Sequence, residues 1–149
     1  GKITADYLER CFGYLSIIYS VKGRIEQALD ALETIKETTG NVSLCVAQSK
    51  LALELYSKSS NCNLKELEDL FDYYRSTVFS SITLIDNRKE LEFWLLDIVN
   101  TLRSFLTAVP AAYFLETIER IRFLSLQKIK DQKDQKEFLE KLSHNIFNF

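Results

Sequence analysis

Three cysteines and one histidine, Cys11, Cys45, Cys62 and His144, are the residues of this chain best suited to ligate a metal or act as nucleophiles. Their spacing argues against both uses. No CxxC pair occurs, the thiol count is odd, and a closed tetrahedral site needs four ligands that this set does not bring together in sequence. Cys11 and Cys45 fall inside apolar helical stripes, so the three are expected to be free thiols in a reducing compartment. The acid pairs Glu66, Glu68, Asp69 and Glu90, Glu92 could serve general acid-base chemistry only if desolvated in a cleft, and they fall on what reads as solvated helix surface. Trp94 lies in an apolar stripe and reads as core, and His144 as a surface residue. P-loop, dinucleotide-loop, HExxH, GxSxG and EF-hand patterns are absent, and four glycines leave little backbone freedom to cradle phosphate. The chain is therefore expected not to be an enzyme and to need no metal or cofactor.

The elements that would position these side chains are helices. Apolar residues recur at helical spacing throughout, and no alternating strand of convincing length interrupts them. Helix one is expected from about Thr4, a good N-cap, to Val21, with Tyr7, Leu8, Cys11, Phe12, Leu15, Ile18 and Tyr19 at helical spacing on one side. Its other side is apolar too, with Tyr14, Ile17 and Val21. Helix two runs from about Arg24 to Thr38 and stops at Gly40. Helix three starts near Asn41 or Ser43 and runs to about Ser57, with Leu44, Ala47, Leu51 and Leu55 as its main stripe and Val46 and Leu53 as a second. The turn-forming segment from Ser57 to Asn63 ends it. Asn63 with Glu66 opens helix four, whose inner face is Leu67, Leu70, Phe71 and Tyr74, and Asn87 with Glu90 opens helix five, which runs to about Val109. Pro110 suits the first turn of helix six, which ends near Ile129. The run Lys128 to Lys136 has one apolar residue and reads as a linker or solvated helical segment, before a short seventh helix carrying Phe138, Leu139, Leu142, Ile146 and Phe149.

The 149 residues suit a single all-α domain, and 46% hydrophobic with 27% charged residues is ordinary globular composition. A net charge of −2 offers no broad attraction for nucleic acid or anionic lipid, so neither is an expected partner. The longest apolar region, Leu91 to Leu115, contains Glu92, Asp97 and Arg103, which are costly in a bilayer. A soluble chain of cytoplasmic or nuclear location is the expectation. Methionine is absent even at residue 1, which implies a piece of a longer or processed protein.

The stretch Phe12 to Gly40 carries a more specific pattern. Phe12, Leu15, Ser16, Tyr19, Ala28 and Leu32 stand at the spacings of a large residue, a leucine, a small residue, a tyrosine, and later a small residue opposite a bulky one, with Gly23 at the turn. This resembles one tetratricopeptide repeat, a helical hairpin that stacks on its neighbours. Two positions depart from the family pattern: Leu32 stands where an aromatic is usual and Gly40 where proline usually closes the unit. Leu67, Phe71 and Tyr74 repeat the spacing of Ala28, Leu32 and Ile35, so helices three and four read as a second, diverged hairpin with helix seven as a terminal cap. Ala28 is expected at the closest approach of helices one and two, and enlarging Ala31 should cost less than enlarging Ala28 if Ala31 is peripheral.

The resemblance implies a protein-protein interaction module, a scaffold or adaptor that binds a partner segment in a groove lined by the first helix of each hairpin. The matching positions are Arg10, Tyr14, Ile17 and Val21 on helix one, with Val46, Lys50 and Leu53 continuing the surface on helix three. Aromatic and guanidinium groups side by side suit an interface anchor. Two alternatives share the composition: a regulatory domain that senses a peptide or small ligand, and a structural subunit whose apolar faces are constitutive interfaces, including a homodimer.

Overall fold

The computed structural model describes residues 5–40, 42–60, 62–104 and 111–147. The expected cap at Thr4, Phe105 and Leu106 of helix five, Pro110 and Phe149 lie outside them. The fold is all-α, with seven helices among the described residues: α1 (Ala5–Val21), α2 (Ile25–Thr39), α3 (Val42–Ser57), α4 (Leu64–Ile82), α5 (Arg88–Ser104), α6 (Ala111–Lys128) and α7 (Gln132–Phe147).

Local chemistry sets the ends of these helices. At the end of α1 the Gly23 N–H donates to the Ser20 carbonyl at 3.0 Å and the Arg24 N–H to the Tyr19 carbonyl at 2.8 Å. This is the paired closure of a Schellman motif, and it places Gly23 at a φ of 74°, where a side chain would be strained. Gly40 closes α2 in the simpler way, with φ 67° and one bond to the Lys36 carbonyl. Asn63 caps α4 by accepting from the N–H groups of Lys65 and Glu66, and the Asn87 side chain accepts from the Glu90 N–H at the start of α5.

By packing, the chain divides into two compact units, Gly1–Thr83 and Leu84–Phe149. In the first, α2 folds back along α1, α3 packs on α1, α2 and α4, and α4 also reaches α2. Its buried residues include Leu32, Ile35, Cys45, Val46, Leu53, Leu70, Phe71 and Tyr74. Small residues let the helices approach. Ser16 and Ala28 are wholly buried, and a Cβ on Gly13 would lie 3.1 Å from the Gln48 side chain of α3. The hydroxyls of Ser16 and Ser20 donate to the carbonyls of Gly13 and Ile17 in their own helix, so this polar seam is buried with its donors satisfied.

Ala31 is buried as well, not peripheral, so the α2 face turned inward takes both alanines. Replacing either Ala28 or Ala31 by leucine is therefore expected to cost about 1–3 kcal/mol through overpacking. Thermal unfolding of the two variants checks this, and an Ala31→Leu protein as stable as the parent would show that the site has room to spare.

Two polar ties fix the first unit further. The buried Tyr56 hydroxyl donates to Glu66 Oε2 at 2.5 Å and accepts from the Asn63 N–H at 2.8 Å, joining the end of α3 to the start of α4. The Tyr73 hydroxyl of α4 donates to Glu33 Oε2 of α2 at 3.1 Å and lies 3.3 Å from Cys45 Sγ of α3. Three helices thus share one polar contact. All three cysteines are free thiols.

The second unit packs α5 on α7, and α6 on both. Leu91, Leu95, Ile121, Ile129, Phe138 and Leu142 are among its buried residues. Arg88 at the start of α5 pairs with Glu92 in its own helix and with Asp134 and Glu137 of α7, at 3.2, 2.7 and 3.5 Å. Of the two readings of the Lys128–Lys136 run, the solvated helical segment holds from Gln132 onward. The run forms the corner between α6 and α7, with Ile129 buried in it and Gln135 Nε2 donating to the carbonyls of Leu126 and Ile129 that end α6. A polar side chain from the new helix closes the old one, which charge patterning alone does not reveal.

Candidate protein-interaction face

Helix α1 lies in the first unit with its small residues inward and several of its large apolar residues outward. Gly13, Ser16 and Ser20 form the buried seam, whereas Tyr7, Tyr14, Ile18 and Val21 are 59, 66, 47 and 45% exposed. These four stand at i, i+7, i+11 and i+14, which keeps them in one stripe along a helix. Isolated exposed apolar side chains are ordinary, whereas these two tyrosines and two aliphatics form a continuous exposed stripe. Arg10 is exposed beside it and Ile17 is half-buried at its edge.

Of the residues the sequence points to, the structure therefore gathers Arg10, Tyr14, Ile17 and Val21 along one side of α1. It does not extend that surface through Val46 and Leu53. These are 1 and 0% exposed and belong to the core, with Cys45, Ser49, Ala52 and Tyr56 beside them, while Lys50 is half-buried. The solvent side of α3 instead carries Ala47 and Leu51. The reason is the doubly apolar character of the helix: two stripes could both serve as the inner face, and the small residues Ser49 and Ala52 lie with the one that does. On α1 likewise, Tyr7 and Ile18 are exposed although the sequence places them in one stripe with Cys11, Phe12, Leu15 and Tyr19, which are half-buried. Gly13 escaped sequence reasoning altogether, although a glycine inside a helical pattern is the signal of close backbone approach.

Other concavities offer less. An open groove of about 580 Å³ between α5 and α7 is lined by Leu96, Glu137, Glu140, Lys141, His144 and Asn145, with mostly the apolar stems of these side chains facing it. Among the described residues no three His, Cys, Asp or Glu side chains converge as a metal site requires, and no helix is long and apolar enough to cross a membrane. The thiol of Cys45 is held above its ordinary pKa by burial, partly offset by the Tyr73 hydroxyl, so it is a poor nucleophile.

Comparison with protein-family models, curated proteins and solved structures gives no match for this chain.

Proposed function

We propose that this chain is a tetratricopeptide-like interaction module whose first helix docks a segment of another protein, in the manner of a scaffold or adaptor. The observation that carries the reading is the orientation of α1, with glycine and serines inward and Tyr7, Tyr14, Ile18 and Val21 turned to solvent. A helix with this composition gains by burying its outer stripe against a partner, since each large apolar side chain removed from water contributes on the order of 1.5–3 kcal/mol before the costs of association. The neighbour pattern supports the repeat-like part of the reading. Hairpin α1–α2 meets hairpin α3–α4 through α1 on α3 and α2 on α4, and Gly23 supplies the tight turn inside the first hairpin.

The test is capture of a partner from cell extract followed by affinity measurement with two variants. Tyr14→Ala and Arg10→Ala are each expected to weaken binding by at least about 1 kcal/mol while helicity and melting temperature stay nearly unchanged, because both side chains are exposed. Unchanged affinity for both would move the interface away from α1.

A further inference from the structure

The outer stripe of α1 also constrains the chemistry of what covers it. The exposed Tyr7, Tyr14, Ile18 and Val21, with the half-buried Cys11 between the first two, alternate by four and three residues, which is the seam spacing of a helix that pairs with another helix. In that frame Tyr7, Tyr14 and Val21 occupy d, and Cys11 and Ile18 occupy a. The flanking e and g positions, whose charges set partner choice in such pairs, hold Leu8, Leu15 and Lys22 on one edge and Arg10 and Ile17 on the other. Both charged flanking groups are cations, one on each edge and near opposite ends of the stripe. Arg10 and Lys22 are exposed. No e or g position between residues 7 and 22 holds a carboxylate.

A second copy of the chain would leave both cations without an opposite charge. In a parallel pair g faces e, so Arg10 would meet a leucine and Lys22 an isoleucine; in an antiparallel pair g faces g and e faces e, and again no opposite charge is met. We infer that the α1 face docks an amphipathic helix of a different protein whose apolar stripe is bordered by Glu or Asp residues at the positions facing Arg10 and Lys22. The inference rests on the reading of α1 as a docking face and adds the conformation and charge of the occupant. Two charge-complementary contacts steer association and select against basic partners more than they add to affinity.

Three synthetic peptides, each three heptads long, test it with the full chain. One has leucine at a and d and glutamate at e and g; the second has lysine at e and g; the third keeps glutamate but has serine at a and d. Fluorescence anisotropy should show the glutamate-flanked leucine peptide binding on the order of tenfold more tightly than the lysine-flanked one at low salt, with the difference shrinking as salt rises. The serine peptide should not bind. Arg10→Glu combined with Lys22→Glu should reverse the preference, and Tyr14→Ser with Ile18→Ser should abolish binding of both leucine peptides. Equal binding of the two leucine peptides, lost in the Tyr14/Ile18 variant, would overturn the acidic-partner inference and leave the docking face standing. Binding untouched by the Tyr14/Ile18 variant would overturn both. Sedimentation of the chain alone should show a monomer; a dimer dispersed by Tyr14→Ser would assign the face to a second copy and overturn the inference.

Discussion

Leu53→Ala is expected to lower the unfolding free energy by about 2–4 kcal/mol, the loss for a leucine cut back inside a packed core, whereas Leu51→Ala two residues earlier should cost less than about 1 kcal/mol. Leu53 has no exposed surface and Leu51 is 39% exposed, so the two leucines stand on opposite sides of α3. Removing the Leu53 side chain leaves a cavity that its neighbours can fill only in part, and the transfer and cavity costs add. Chemical denaturation of the two variants measures the contrast directly. A larger loss at Leu51 than at Leu53 would show that α3 packs with the opposite face and that Val46 and Leu53 are available to a partner after all.

Alkaline pH is expected to destabilise the first unit well before the second. Burial, reinforced by the hydrogen bond to Glu66, pushes the Tyr56 phenol up to about 12 from its ordinary 10. Tyr73 is raised by burial and by its contact with Cys45, and Cys45 is raised by its own burial. In the unfolded chain these thiol and phenol groups release their protons near their ordinary values of 9 and 10. Below about pH 9 both states hold the protons and the contribution to stability is complete. Between about pH 9 and 12 the unfolded state binds fewer protons than the folded one, so stability falls as pH rises. All three cysteines and six of the seven tyrosines precede residue 84, while the only tryptophan, Trp94, follows it. The melting temperature followed by helical circular dichroism should therefore fall from about pH 9 upward, with the Trp94 emission maximum shifting only at higher pH. Tyr73→Phe and Tyr56→Phe should each flatten the decline. A melting temperature constant to pH 11 would mean that these hydroxyls ionise freely in the folded protein.

Much of this protein is determined by its sequence alone, and the reasons are local. Helical period in the apolar residues requires an all-α chain; Gly23 and Gly40 end helices because the left-handed backbone there strains any other common residue; Asn63 and Asn87 begin them because a short amide oxygen satisfies the free N–H groups of a first turn. That Ala28 and Ser16 are buried between helices also follows from their small size at fixed spacing. The inner face of α1 and of α3 does not follow. Each of these helices carries apolar residues all round, so the energy of burying one stripe or the other is nearly the same when the helix is considered by itself. Tertiary packing breaks the tie through shape. The inward sides chosen are those with Gly13, Ser16 and Ser20 on α1 and Ser49 and Ala52 on α3, which admit neighbouring backbones closely, and that choice sends Val46 and Leu53 into the core while leaving Tyr7, Tyr14, Ile18 and Val21 in water.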